Sequence, residues 1–559
     1  MGIPHLNSFL QPYTTHENLN GWTVVIDGNA LAYHIYYLCV ARRYDARNTL
    51  EGLPQNLEIA ATVIEWLEWP VFEVSLHWNS GKIYFDGFLP PSKMRTRSLR
   101  LGRLTSQYSN YYKTHNAFRH TQLKELGEMT LFGVSIGATK PCLCPPPPYL
   151  VPVILETLYY SKNYSNLIEV VPWEADFYCA QYAKEHGVLV LSGDSDLLIY
   201  DLGPQGAVAF FKDIKQSIPN RELSAAVYKP TEIVKRLGLD KSHGLKPFAF
   251  ELLMASTPKF SDIRKRAISL RALEIHPIKY KETFDEYNIS FPEYDSKSKS
   301  SNSRSLTYLQ ALDPRVSEYV LQFPTFAKVA KQPLINNSTE KHVYRIFLPF
   351  LLDSPARTSG WEIASATRQL AYGLINLALP AEERIASVVE HKRQHAKFGG
   401  RELGLPTTLE ISTACSEICS NFSKFREKFK HLCNRQIWIV MAILQEIEWS
   451  QFNNKLPMTL LAVKHVAKFF STSMRERAYH WDLIHYLAQI DASFYSYRIL
   501  QQVSRTVIAQ GQQDNLPAAL FHLSKLLESL PKICEFPDRD SIISFFHDNL
   551  SNISSMANN

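Results

Sequence analysis

The chain has 559 residues, 60 Lys and Arg against 54 Asp and Glu, and eight cysteines. That length allows roughly two to four domains with cores large enough to need no covalent staples, and so few cysteines spread so thinly exclude a disulfide framework. A formal net charge of +6 singles out no class of partner, so the placement of the charges carries the information.

The opening "MGIPHLNSFLQPY" lacks the charged and apolar regions of a secretory leader and the serine or threonine of a myristoylation signal. No apolar run reaches the roughly 18 residues of a membrane span. An intracellular protein with no membrane partner is expected, and "KMRTRSLR" and "IRKRAISLR" point to the nucleus. "TVVIDG" (Thr23 to Gly28) reads as a short strand and "NALAYHIYYLCVARRY" as the helix after it; "GKIYFDG" (Gly81 to Gly87) reads as a second strand. From Gly87 to Leu123 there is no acidic residue, whereas Lys93, Arg95, Arg97, Arg100, Arg103, Lys113 and Arg119 fall there among Tyr108, Tyr111, Tyr112, His115 and His120. Such a segment is an electrostatic footprint for a polyanion, with tyrosine faces on which bases can stack. A solvated basic helix without a partner is the blander alternative.

"WEADFYCAQYAKEHG" ends on a helix-stopping glycine and leads into a third strand, "GVLVLSGD" (Gly187 to Asp194). Strands alternating with helices predict an α/β domain over residues 1–270, with a mostly parallel central sheet flanked by helices. Beyond about Ser261 helical periodicity takes over, as in "CNRQIWIVMAILQEIEW". "YDSKSKSSNSRS" reads as a linker within 271–305, and "EHKRQHAKFGGRELG" as an exposed loop, basic and broken by glycines. Residues 306–559 then read as an α-helical C-terminal domain on which a protein partner could dock. Cys142 and Cys144 are too close in sequence for the usual zinc spacing; Cys415, Cys419, His431 and Cys433 read either as a zinc site or as small core residues one turn apart.

Each strand-like run ends in aspartate: Asp27, Asp86, and Asp194 with Asp196. In an open parallel sheet all carboxyl ends lie on one edge, where ligands bind. Glu174 and Asp176 open the helix leading into the third strand, although positions two apart on a regular helix diverge. Two carboxylates about 4 Å apart repel by around 4 kcal/mol at an effective dielectric near 20, so a cluster needs protons or a cation. Oxygen-only ligation suits Mg2+ or Mn2+, and two such ions roughly 4 Å apart can hold a phosphodiester for in-line attack by water.

"MGIPHL", "VVIDGNALAY", "IYFDGFLPPSK", "VPWEADFYCAQYAKEHG" and "VLSGDSDLLIYDL" resemble, in order and spacing, the flap endonuclease or XPG superfamily of metal-dependent nucleases. "CPPPPYLVPVILETL" and "SGWEIASATRQLAYGLINLAL" are similar to its asteroid branch. The resemblance implies a PIN-like fold in which Asp27, Asp86, Glu174, Asp176, Asp194 and Asp196 hold two metal ions. It implies further that Tyr33 stacks on a base, that Lys93 and Arg100 on a basic gateway helix contact the scissile phosphate, and that Gly2, Arg95, Arg97 and Arg103 bind nucleic acid. A structure-selective DNA endonuclease acting near single-strand and duplex junctions, with a role in DNA repair, is the expectation, with RNA left open as substrate. Two departures weaken it: "LLMASTPKF" places Ser256 where the family has a seventh acid, and "SDIRKRAISLR" lacks the glycines of the family's duplex-gripping hairpin. The alternative is a catalytically weak or inactive nuclease-fold protein serving as a nucleic-acid-binding or scaffold module.

Overall fold

Both faces of the central sheet are covered, and that is why its strands carry unbroken apolar runs. The computed structural model describes residues 3–42, 50, 52–68, 81–87, 93–115, 117–119, 131–132, 144–216, 222–287, 312–330, 344–395, 397–472, 478–510 and 516–558. Gly2, Cys142 and 288–305 of the expected 271–305 linker lie outside the described residues, while 271–287 holds the helices Arg271–Ile275 and Pro277–Phe284, which pack Ala272, Tyr280 and Phe284 into a core. In chain order the strands are β1 (Thr15–Asn18), β2 (Val24–Asp27), β3 (Lys82–Asp86), β4 (Ala117–Arg119), β5 (Ile168–Val171), β6 (Leu189–Ser192), β7 (Ala207–Phe210), β8 (Lys215–Gln216), β9 (Leu223–Tyr228), β10 (Tyr344–Phe347), β11 (Ser387–Gln394), β12 (Lys397–Gly404) and β13 (Ala478–His480). The helices that concern the site are α1 (Gly28–Ala41), α2 (Met94–Thr114), α3 (Ala175–His186), α4 (Pro314–Ala330) and α5 (Trp481–Ala509).

The main sheet runs β1-β9-β7-β6-β2-β3-β5, with β8 also paired to β9. Strands β7, β6, β2, β3 and β5 are parallel, and β9 and β1 add an antiparallel margin. Side chains of β2 alternate between two cores: Val24 and Ile26 enter one, Val25 the other. The second core lies under α3 through Ala175, Cys179 and Ala183. The first runs on without a break into the C-terminal half, joining Ile83 and Leu189 to Trp361, Tyr372 and Tyr495.

Polar contacts cross the same boundary. The Tyr149 ring stacks on Tyr495 at 4.5 Å and its hydroxyl donates to the Asp491 carbonyl at 2.9 Å. Buried Glu156 pairs with Arg498 of α5. The C-terminal half is mostly helical, and α5 is buried on every side along most of its 29 residues, as befits a central helix. No described helix is long and apolar enough to cross a membrane.

Two expectations need correction. "EHKRQHAKFGGRELG" is not a loop: β11 and β12 form an antiparallel hairpin, and β10 adds in parallel to make a three-stranded sheet. Its charges look solvated in sequence because their partners come from distant segments. Glu390, fully buried, accepts from Arg368 at 2.6 and 3.0 Å and from Lys392 at 2.8 Å, while Arg393 pairs with Asp353 at 2.7 Å. Burial alone would raise the Glu390 carboxyl, but Arg368 and Lys392 hold it far below the ordinary range. Gly400 is a spacer here, since a Cβ on it would come 2.5 Å from Val389 Cγ1.

The second correction concerns the tyrosines of the basic segment. Tyr108 and Tyr111 are buried on one side of α2, and Trp481 meets Tyr108 at 6.0 Å and Tyr112 at 4.7 Å between ring centroids. They dock the helix on the C-terminal half and offer no faces to bases. Cys415 and Cys419 lie one turn apart on the helix Thr408–Lys428, Cys415 buried as the core reading expects, whereas Cys433 is exposed and is not a core residue.

Glu390→Gln removes the paired carboxylate from buried Arg368 and leaves buried Lys392 only its 3.2 Å pair with Glu362. It is expected to cost about 3–5 kcal/mol, read as a lower urea midpoint for the full chain.

Candidate active site

Parallel strands β2, β3 and β6 bring their carboxyl ends to one edge, and the acids follow. Asp27 ends β2 and caps α1, its Oδ1 accepting from Ala30 N at 3.0 Å and its Oδ2 from the Ser192 hydroxyl at 2.8 Å. Asp86 ends β3, accepting from Ala175 N at 2.7 Å and from the Asn29 side-chain amide. Gly87 must follow it, because a Cβ there would stand 1.9 Å from the Val171 carbonyl oxygen. Asp194 caps the short helix Ser195–Ile199 and accepts from Asp196 N at 3.1 Å.

Glu174 and Asp176 converge by a local device. Glu174 is the cap residue before α3, with extended backbone (φ −78°, ψ 136°), so its side chain is freed from the helical spacing that Asp176 in the first turn obeys. Lys93, at the start of α2, donates to both Glu174 oxygens at 2.8 Å. Asp196 is held at the margin by Ile3 N at 2.8 Å and the Tyr287 hydroxyl at 3.1 Å.

Burial and mutual charge act together on the group. Burial raises Asp27, with Asp194 adding to the rise. Burial pushes Asp86 up to about 7, with Asp27 and Glu174 contributing. Asp176 goes well above the ordinary range, first through burial and then through Asp27, Asp194, Asp86 and Glu174. Asp196 rises to about 6 by burial and the Asp194 charge. Such a set is costly when ionised and bare, and a divalent cation relieves it. The donors fit a hard ion: all are oxygens, and the buried Asn29 Oδ1 beside Asp86 has no hydrogen-bond partner.

Another trio invites comparison. His465, His480 and Asp482 bring ligand atoms within 4.8 Å of one another, whereas Asp27 and Asp86 are turned onto neighbouring donors, Ser192 for the first and Asn29 and Ala175 for the second. Yet the two imidazoles are stacked at 4.6 Å and 11°, so their in-plane lone pairs do not meet at a point. Asp482 is also bound by Arg357 at 2.8 Å and stands in the first turn of α5, where the helix field disfavours cations. This trio works as a helix cap, with Asp482 N donating to His480 Nδ1 at 3.3 Å.

The basic helix divides its charges between two faces. Arg95, Arg100 and Arg103 are exposed. Arg97, expected among the nucleic-acid contacts, is instead buried on the face it shares with Tyr108, paired with Glu318 of α4 at 2.7 Å and lying over the Phe347 ring at 4.6 Å. Tyr33 stands on α1 with 46% of its surface open, yet it is crowded enough that burial raises its phenol, with Arg315, Arg100 and Asp86 also acting on it. Both hold for a side chain in a concave cleft. Ser256 is exposed in the link between the helices Lys246–Met254 and Phe260–Ile268. Sequence reading missed Ser192 and Asn29, each two residues from a recognised aspartate, and Tyr287, which no motif marks.

Asp86→Asn is expected to stabilise the protein in EDTA at pH 8. The folded carboxyl, at about 7, keeps a proton that the unfolded chain has lost above ~4, so the stability it contributes at low pH disappears as pH rises through that interval. An Asn29 flip would offer its unpartnered Oδ1 to the new amide. The gain, on the order of 1 kcal/mol, should shrink as pH falls toward 4, and Mg2+ should raise the Tm of the wild type more than that of the variant.

A family described as "XPG domain containing" matches residues 146–405, a stretch that holds Glu174, Asp176, Asp194, Asp196 and the β11–β12 hairpin. The chain is also similar to "Asteroid homolog 1" of Schizosaccharomyces pombe (strain 972 / ATCC 24843), 22% identical over 487 residues that cover 85% of this chain and 77% of the relative. These matches, together with a mostly parallel sheet whose acids share one edge, make the chain similar to XPG-domain and asteroid-type proteins, and its α/β architecture is consistent with an XPG-like fold.

Proposed function

We propose that this protein is a divalent-metal-dependent endonuclease that hydrolyses phosphodiester bonds in nucleic acid, with DNA near single-strand and duplex junctions as the substrate. The observation that carries the reading is the cluster of Asp27, Asp86, Asp176 and Asp194, in which burial first, and then neighbouring carboxylates, push the first three upward. A fold with no use for a cation would gain by neutralising such a group. Asp27, Asp86, Asp176 and Asp194 would hold the ion, with Glu174 and Asp196 at the flanks. Mg2+ or Mn2+ there would supply Lewis acidity toward the phosphate and lower the pKa of a coordinated water.

The chain's own groups do the rest. Arg95, Arg100 and Arg103 draw the polyanion along the exposed face of α2. Tyr33 offers a ring beside the acids. Lys93, seated on Glu174, can give a phosphate oxygen the same two-pronged contact it now gives the carboxylate. Ser192 and Asn29 fix the rotamers of Asp27 and Asp86, as outer-sphere partners of a metal site do.

A second reading has its own support. Both Asp196 oxygens are engaged by Ile3 and Tyr287, and no acid stands at exposed Ser256, so a second ion would be weakly held. A slow or inactive nucleic-acid-binding module fits that arrangement.

Incubating the full chain with branched and single-stranded DNA and RNA in Mg2+ or Mn2+ separates the two. The nuclease reading expects cleavage that falls by more than about 100-fold in the double variant Asp194→Asn with Asp196→Asn, exceeding the usual cost of losing an outer-sphere partner. Salt-sensitive binding without turnover under either ion would favour the binding module, and cleavage that survives the double variant would move the site elsewhere.

A further inference from the structure

The C-terminal half has so far been given no chemistry, yet its helix α4 begins at the acid cluster. Asp313, 3% exposed, fixes that beginning. Its Oδ1 accepts from Arg315 N at 2.8 Å, its Oδ2 accepts from the Tyr495 hydroxyl at 2.6 Å, and its own N–H donates to Gln502 Oε1 at 2.8 Å. Tyr495 and Gln502 both belong to the deeply buried α5. On the other side of Arg315, the Ser317 hydroxyl donates at 2.6 Å to the carbonyl of Gly87, the residue after Asp86. Two anchors, one two residues before Arg315 and one two residues after, therefore hold it at the carboxyl edge of the main sheet.

The helix field does not favour a cation there, although the Arg315 charge acts on buried Glu318. Arg315 lies in the first turn of α4, where the helix field works against a positive charge by about 0.3–1 kcal/mol. Its described ion pair, Nη1 to Glu318 Oε2, is long at 3.3 Å, and Glu318 has a closer partner in Arg97 at 2.7 Å. The side chain keeps 36% of its surface exposed. Arg315 and Arg100 both act on the phenol of Tyr33, as does Asp86, and the Ser317 bond to Gly87 places the start of α4 next to Asp86, so the two guanidinium groups neighbour the open ring at the acid edge. A guanidinium is suited to grip a phosphate through two parallel N–H bonds.

We propose that Arg315 is a nucleic-acid-binding residue contributed by the C-terminal half, its guanidinium meeting a backbone phosphate that enters the cleft over Tyr33 alongside Arg100. This deepens the nuclease reading and rests on its nucleic-acid component, not on turnover. It also gives the C-terminal half a part in the site: α5 positions Asp313, Asp313 positions the first turn of α4, and that turn presents the arginine.

The test measures fluorescence anisotropy of a labelled branched DNA with the full-length protein, in Ca2+ to slow turnover, over a series of NaCl concentrations. For Arg315→Gln the expected result is about tenfold weaker binding, and a slope of log affinity against log salt that is shallower by about 0.7–0.9, the value of one phosphate contact. Arg315→Lys should keep the slope, Lys424→Gln on the exposed face of helix Thr408–Lys428 should change neither quantity, and the Tm of Arg315→Gln should stay level or rise. Unchanged affinity and slope in Arg315→Gln, with the wild type binding well, overturns this proposal and leaves the nuclease reading standing. A fall in Tm that accompanies the loss also overturns it, because the role would then be structural. If the wild type binds neither branched DNA, single-stranded DNA nor RNA, both readings fall together.

Discussion

Repulsion among carboxylates that parallel strands deliver to one edge is the constraint around which the rest of this molecule is arranged. Two such groups at about 4 Å oppose each other by around 4 kcal/mol in a surface-like dielectric, and four share this edge. The fold tolerates three of them by giving each an immediate donor: Ser192 and Ala30 for Asp27, Asn29 and Ala175 for Asp86, the Asp196 amide for Asp194. Helix starts lend their fields as well, since Asp27 and Asp194 are cap residues and Asp176 lies in a first turn. Arrangements of this kind keep acids in place without neutralising them, which is what a cation-binding edge requires.

Much of the N-terminal architecture was legible because its signals are local. "VVID", "IYFD" and "VLVLSGD" announce their own strands, and strands that alternate with helices dictate where the carboxyl ends gather. The convergence of Glu174 with Asp176 was harder to see, because it depends on one extended backbone conformation before α3 and not on spacing. What remained hidden depends on segments far apart in the chain. Nothing near "EHKR" says that Arg368 and Asp353 will enter the core to meet Glu390 and Arg393, so buried charge was read as solvated charge. Arg97 and Tyr108 misled in the same way: a basic, tyrosine-bearing helix has two sides, and only the folded chain shows which side faces α4 and Trp481.

The C-terminal half is more than a separate appendage to the α/β sheet domain. It completes one face of the central sheet, so Ile83 and Leu189 share a core with Trp361 and Tyr495. Buried ion pairs such as Glu156 with Arg498 add little net stability compared with apolar packing, but they penalise misaligned docking because each partner left alone is expensive. Register between the two halves is thereby set to within a side chain, the accuracy a shared cleft needs.

One consequence follows from the way the far end of α2 is tied down. Its last turns are wedged against Trp481, whose indole N–H donates to the His115 carbonyl, and β4 just beyond pairs with β13 through three residues. A cationic helix clamped at its end by a segment more than three hundred residues away has little freedom to swing. Any polyanion that lies along it meets a surface already organised, and the entropy of ordering that surface is spent in folding and not charged against binding.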